Sequence, residues 1–425
     1  MANKVRFDMI SKWQWLLAQL TRMLWVRASL FALLAVLAAL LATAADRVMP
    51  EGLPLSIGAE SVEPILNILA SSMLTVTTFS LTVMVSAYAA ATTSVTPRGV
   101  RLLMQDTTTQ NVLGTFLGSF LFSLVAIIAL STNAYGERGR IVLFAFTLLV
   151  ILIIVVTMLR WIDHLSRFGR VGDTTDRVEQ ATLAALQNRV DNPCMGARPW
   201  LDGVLPADVV PIYADCVGYV QHVDVEKLQE AVATQDLQVH VTTLPGGFVD
   251  AGRALAWVGA AADVQTRNEL SAAFTVGKER SFDQDPRFGL AVLAEIASRA
   301  LSPAMNDPGT AIDVVGRGVR TLSCWPADPG TVLSKAIHYP QVSVPPLALG
   351  DLFDDVFAPI ARDGASLLEV QSRLQKAYAG LAAKGGSFQA EAQRHAALAL
   401  KRAETAMTLE EDLARVRALA APLVS

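Results

Sequence analysis

Four long apolar runs dominate the first 160 residues, and beyond them polar and apolar positions alternate as they do in soluble domains. The runs are Ala28 to Ala45, Ile65 to Ala91, Val112 to Leu130 and Ile141 to Leu159. At a helical rise of about 1.5 Å per residue each is long enough for a hydrocarbon core of about 30 Å, so four transmembrane helices are expected over 28–160. Within the first run, Ala42-Thr43-Ala44 imitates a signal-cleavage site. The stretch before that run is too long for a signal n-region, so a retained anchor is expected. Ahead of it, Phe7, Ile10, Trp13, Leu17, Leu20 and Leu24 recur at helical spacing, with Trp13, Trp15 and Trp25 suited to the headgroup region. An interfacial helix over 1–27 on the cytoplasmic side follows.

Four spans put both termini on one side. Lys4, Arg6, Lys12, Arg22 and Arg27 precede the first span, Arg98 and Arg101 follow the second, and Arg160, Arg167 and Arg170 follow the fourth. The opposite loops hold only Arg47, Arg138 and Arg140, so the positive-inside bias places both termini in the cytoplasm of a bacterial inner membrane.

Chemistry enters with the second span. Ser71, Thr75, Thr78, Thr82 and Ser86 recur at intervals of three or four residues and draw one hydroxyl stripe down a helix. Hydroxyls in hydrocarbon need a partner, which can be the helix's own i−4 carbonyl, a neighbouring helix or water. Pore lining and helix packing therefore both remain open. In the third span Gly114 and Gly118 form a GxxxG close-packing face. No acidic or basic side chain and no histidine lies inside the four runs. A proton relay, a voltage sensor and an ion-coupled transporter are thereby disfavoured, and a passive pathway is not.

The soluble part reads as α+β. Trp161 to Asn188 keeps helical periodicity, which predicts a connecting helix within 161–200, ended by Asn192-Pro193. Over 201–262 a small β module is expected, with strands at Val217 to Val223, Leu237 to Thr243 and Ala254 to Val258 and a helix at Val225 to Ala233. The remaining 263–425 reads as helical. Asp285-Pro286, Asp307-Pro308 and Asp328-Pro329 each pair a capping carboxylate with proline at the first helical position. Glu295 and Arg299 are spaced as an i, i+4 pair. Ala365 to Ala383 and Phe388 to Leu419, separated by Lys384-Gly385-Gly386-Ser387, predict a helical hairpin.

A net charge of −4 without a basic run gives nucleic acid no footprint. Cys194, Cys216 and Cys324 are odd in number and unclustered, and His164, His222, His240, His338 and His395 show no ligand spacing. Neither a disulfide framework, a metal site nor a cofactor is expected. Nucleophile-elbow, zinc-protease, P-loop and dinucleotide patterns are missing, so an enzyme is not expected.

Two resemblances add to this. Leu244-Pro245-Gly246-Gly247-Phe248-Val249-Asp250-Ala251-Gly252, with Gly218-Tyr219-Val220, resembles the glycine-turn pattern of barrel-sandwich hybrid domains, without the modifiable lysine of a carrier. The stretches Thr77-Thr78-Phe79-Ser80-Leu81-Thr82, Ser94-Val95-Thr96-Pro97-Arg98, Gly218-Tyr219-Val220-Gln221, Gln284-Asp285-Pro286-Arg287-Phe288-Gly289 and Ala300 to Pro308 resemble a bacterial family of predicted membrane proteins known as domain of unknown function 2254. Where that family usually carries a larger residue, this chain has Gly309. The resemblance implies the four-span topology with a cytoplasmic domain and supplies no activity. It marks Pro97, Arg98, Asp285, Pro286, Asn306, Asp307 and Pro308 as signature positions with structural roles. Two functions remain in view. One is a homo-oligomeric pore for small ions lined by the second span; the other is a membrane-anchored scaffold for a cytoplasmic protein.

Overall fold

A computed structural model describes residues 24–45, 62–132, 137–167, 169–235, 237–328, 330 and 335–424. The interfacial helix expected over 1–27 lies almost wholly outside the described residues. Two compact units are present, one within Leu16–Thr93 and Val100–Thr174, the other within Ser94–Gly99 and Thr175–Ser425.

The first unit is helical: α1 (Leu24–Ala45), α2 (Val62–Ser94), most of α3 (Pro97–Met104), α4 (Thr107–Ser131) and α5 (Glu137–Arg167). Among the described residues three stretches are long and apolar enough to cross a membrane, Val62–Thr92, Thr107–Ser131 and Gly139–Ser166. Their packing follows the apolar period: Val62, Leu66, Leu69 and Met73 of α2 lie on one face, against Phe116, Phe122 and Ala126 of α4 and Leu143 and Ile154 of α5. Asp106 caps α4, accepting hydrogen bonds from the Thr109 amide at 2.9 Å and the Thr109 hydroxyl at 2.6 Å. Asp106 also pairs with His164 Nε2 of α5, 2.8 Å away. The continuous helix expected from Trp161 to Asn188 is instead two. Gly169, at φ +77°, takes the left-handed conformation that ends a helix, and α6 (Val171–Asp191) starts afresh after it.

In the second unit α6 leads through a short turn at Pro193–Gly196 into two sheets. The strands are β1 (Ala197–Pro199), β2 (Val209–Ile212), β3 (Gly218–Val223), β4 (Val239–Val241), β5 (Phe248–Val249), β6 (Ala256–Gly259), β7 (Phe274–Gly277) and β8 (Tyr339–Val344). One sheet is mixed, in the order β1-β8-β4-β6-β2, with β8 parallel to both its neighbours. The other is antiparallel, β5-β3-β7. Val220, Val239, Val241, Val249, Val258 and Val342 share one core with Leu228 of α7 (Val225–Ala233) and Leu270 of α8 (Val264–Ala272). The β structure thus extends beyond 201–262. It recruits β1, β7 and, about sixty residues and two helices after β7, β8.

The helices that follow are α9 (Pro286–Ala300), α10 (Pro308–Ser323), α11 (Leu349–Asp363), α12 (Leu368–Ala382), α13 (Ser387–Ala406) and α14 (Glu410–Val424). Asp285 and Asp307 cap α9 and α10 with proline at the first turn, while Pro329 lies outside the described residues. Where one helix was expected from Phe388 to Leu419, the chain breaks at 407–409. Glu410, Glu411 and Asp412 favour a fresh helix start through the macrodipole, and Arg417 joins the pieces by pairing with Glu404 and Glu410.

Among these helices His395 is buried between the Phe353 and Tyr378 rings. Burial and then Arg394 push its pKa down to about 4, against Asp354, which pulls it up. The 3.0 Å contact from Arg394 Nη2 needs a lone pair on His395 Nε2, whereas Asp354 Oδ1, 3.2 Å from the same nitrogen, would need a proton there; burial decides for the neutral ring. A folded pKa below the ordinary 6.5 means stability is intact above about pH 6.5 and is lost as pH falls from there through 4. The loss attributable to this side chain is about 3 kcal/mol at full protonation. Urea denaturation at pH 7.5 and pH 4 of wild type and His395→Leu should show a smaller pH difference for the variant. Equal differences would remove His395 from the account.

Candidate functional site

Helix α2 carries a polar stripe on the exposed surface of the first unit. The side chains of α2 that bury, Val62, Leu66, Leu69, Met73, Ser80, Met84 and Ala91, all fall on one side at 3.6 residues per turn. Ser71, Thr75, Thr78, Thr82 and Ser86 are all exposed and project from the opposite side. Leu74 and Leu81 flank this stripe on one edge and Ile68 and Phe79 on the other, and Val85 interrupts it; all five are exposed. The hydroxyls are not idle. Ser71 donates to the Asn67 carbonyl at 3.0 Å, Thr75 to Ser71 at 3.0 Å, Thr78 to Thr75 at 2.9 Å and Thr82 to Thr78 at 3.0 Å. Donation to the helix's own backbone makes the stripe tolerable against lipid. It also leaves the oxygen lone pairs pointing outward as acceptors for water.

A buried polar contact lies on the other side of α2. Ser80 accepts from Trp161 Nε1 at 3.0 Å, and both are buried. Gly114 and Gly118 of α4 face Phe31 of α1: a Cβ at Gly114 would stand 2.7 Å from the ring, and one at Gly118 would stand 3.2 Å from the Phe31 carbonyl oxygen. These glycines are therefore where α1 and α4 come closest.

The signature residues fall in the second unit and act as joints. Thr96 caps α3, accepting from the Gly99 amide at 3.2 Å, with Pro97 at its first turn. Arg98 forms an ion pair with Glu295 of α9, so Glu295 is not engaged with Arg299 as its spacing suggested. Around Asp285 each neighbour has a fixed task. The Gln284 side chain accepts from the Val223 amide of β3 at 2.9 Å, and its carbonyl accepts from Arg189 of α6 at 3.2 Å. Asp285, almost fully buried, accepts from the Phe288 amide at 3.1 Å and from Arg280 Nε and Nη2 at 2.8 and 3.0 Å. Burial pushes its carboxyl up and Arg280 pulls it down. Arg287 reaches α11, donating to Asp351 at 2.6 Å and Asp355 at 2.7 Å. Gly289 lies against Thr182 of α6, where a Cβ would meet the Thr182 hydroxyl at 2.0 Å. The motif Gln284 to Gly289 thus ties a strand and three helices together.

Asn306 stands at φ +46°, a left-handed conformation that asparagine tolerates, in the turn between α9 and α10. Asp307 then caps α10 through the Thr310 amide and hydroxyl, which hold its carboxyl below the usual range. Cys194 is buried in the turn after α6, and burial pushes its thiol up to about 11, as befits an unreactive thiol. Among the described residues no group of three His, Cys, Asp or Glu side chains is placed to hold a metal ion.

Sequence reasoning passed over the Asp106–His164 contact and the buried network around Arg317. The Asp-Thr-Thr-Thr start of α4 was a visible capping signal. The partner histidine, fifty-eight residues on, was not.

The family described as Predicted membrane protein (DUF2254) matches residues 21–380. A protein of Mycobacterium bovis and one of Mycobacterium tuberculosis, each described as an uncharacterized protein, are 30% identical to the chain over 284 residues, covering 64% of it and 53% of each relative. The chain therefore spans about half the length of these relatives. No solved structure matches it significantly.

Proposed function

Because the chain belongs to the DUF2254 family of predicted membrane proteins, we propose that it is a homo-oligomeric inner-membrane pore in which the second span, α2, lines a passive pathway for small ions. In this reading α1 is a fourth span. Its 22 residues extend about 33 Å at about 1.5 Å per residue, and it lies against the α4 glycines. Both termini are then cytoplasmic, in accord with the distribution of Lys and Arg.

The observation that carries the proposal is the position of the hydroxyl stripe, exposed and opposite the packing face of its own helix. Hydroxyls needed only for packing inside one protomer would lie against α4 or α5, as Ser80 does against Trp161. Several copies set around an axis would turn the stripes toward a water-filled lumen, with Leu74, Leu81 and Phe79 against neighbouring subunits. Span interiors without acidic or basic side chains suit a passive route.

Ion flux through liposomes holding the purified chain tests this. Thr78→Leu and Thr82→Leu should each reduce flux about tenfold, as an apolar ring dewets a narrow lumen, with oligomer size unchanged. Flux no greater than through empty liposomes, under varied salt, pH and tension, would reject the pore. It would favour the scaffold reading, in which the cytoplasmic unit captures a protein partner.

A further inference from the structure

On the helical side of the second unit, α10, α12 and α14 enclose a groove of about 400 Å³ lined by Ile312, Leu368, Glu369, Ser372, Arg373, Lys376 and Arg415. Arg373 and Lys376, three residues apart, share one face of α12, and Arg415 comes from α14. All three cations are exposed, and none has an ion pair or hydrogen bond among the described residues. Glu404 and Glu410 pair with Arg417, and Glu179 with Arg317 and Arg320, while Glu411 and Asp412 lie within about one turn of Arg415 on α14 but outside the groove lining. Only the Glu369 carboxylate opposes three cations in the groove.

The fold also makes room for this arrangement. Gly316, one turn beyond Ile312 on α10, lets the Arg373 guanidinium lie close to that helix; a Cβ there would stand 3.2 Å from Nη2. Two guanidinium forks and one ammonium form the donor set that matches a phosphate dianion, since the forks offer paired N–H groups to its oxygens. The half-buried Ser372 adds a hydroxyl, and Ile312 and Leu368 supply an apolar wall for a small organic body. The volume suits a small ligand.

We infer that this groove binds a phosphate monoester, carried either by a soluble metabolite or by a lipid headgroup. The inference is independent of the pore reading. The test titrates the full chain in phosphatidylcholine nanodiscs calorimetrically with glycerol 3-phosphate and, separately, with dioctanoyl phosphatidic acid, with empty nanodiscs as the blank.

Saturable binding of glycerol 3-phosphate would assign a soluble ester; binding of phosphatidic acid alone would assign the headgroup. In either case Arg373→Gln and Arg415→Gln should each weaken binding about tenfold, the usual loss for one charge-assisted contact. Glu369→Gln should tighten it, a gain that a merely structural role would not produce. Lys401→Gln, on the exposed surface of α13, should leave it unchanged. The substituted side chains are exposed or line the groove, so the variants should fold, which far-UV circular dichroism would verify. Absence of binding by both probes, or binding undiminished in the Arg373→Gln/Arg415→Gln double variant, would overturn the inference.

Discussion

Arg317→Met is expected to destabilise the second unit by about 3–5 kcal/mol, the cost of breaking a buried ion pair by removing one partner. Arg317 is only 8% exposed at its side chain, yet it serves three carboxylates. Its Nη1 donates to Glu179 at 2.8 Å and also pairs with Asp176, and its Nε donates to Asp313 at 2.6 Å. Without it Glu179, also buried, keeps only Arg320, whose side chain is more than half exposed. The residual penalty is therefore a carboxylate held out of water with one of its three hydrogen bonds gone and an exposed arginine as its remaining partner. Arg317→Lys should recover less than half of the loss, because one ammonium cannot reproduce the planar fork that reaches both helices. In the double variant Arg317→Met/Glu179→Leu much of the stability should return, since apolar side chains then meet where charges did. Urea denaturation of the full chain at fixed detergent measures all three. A loss below about 1 kcal/mol for Arg317→Met would place the network among surface pairs of little consequence.

Gly246→Ala is expected to cost at least about 3 kcal/mol through two additive causes. Gly246 adopts φ +92°, where a Cβ meets its own backbone at a cost of about 1–2 kcal/mol. The same Cβ would also stand 2.1 Å from Asp285 Oδ2. That carboxylate cannot step aside without releasing Arg280 and the first turn of α9, so the buried charge loses its partners. Gly385→Ala is the natural comparison. Its φ is +72°, but open space surrounds it, so only the backbone cost of about 1–2 kcal/mol should appear. Equal losses at the two sites would show that Asp285 yields and that the clash contributes nothing.

These two sites mark where reading the chain in order stopped working. Asp285 and Asp307 were legible as caps because a cap joins residues three apart, and the structure has them bonding Phe288 and Thr310 as such. The helix at Val225–Ala233 and the positions of β3, β4 and β6 were legible for the same reason, through local periodicity and turn residues. The break at Gly169 was missed because a lone glycine can also stand inside a helix, and only the positive φ reveals the stop. Strand β8 was missed because it follows two helices and pairs with strands about a hundred residues or more before it. No local pattern distinguishes a strand that will insert at such a distance from one that will not.

For the candidate sites the division is similar. The hydroxyl stripe of α2 was visible as spacing alone, but its spacing was equally suited to packing inside the protomer. Which side of the helix would meet Phe116 and Ile154, and which would be left exposed, depended on the faces that α4 and α5 present. In the basic groove, Arg373 and Lys376 could be placed on one face of a helix, whereas Arg415 reaches them only because α14 folds back.

Short-range physics accounts for the features legible along the chain: the length of the apolar runs, the asymmetry of their flanking charges, and the capped helix starts. Backbone hydrogen bonds in hydrocarbon must close within a helix, so composition alone dictates helices there. Only the tertiary structure decided that Arg317 meets Glu179, that Gly246 makes room for Asp285, that three cations share one groove, and that the hydroxyls of α2 are left outward. Each of those depends on which distant surfaces meet, and that is set by the burial of the whole core rather than by any one segment of the chain.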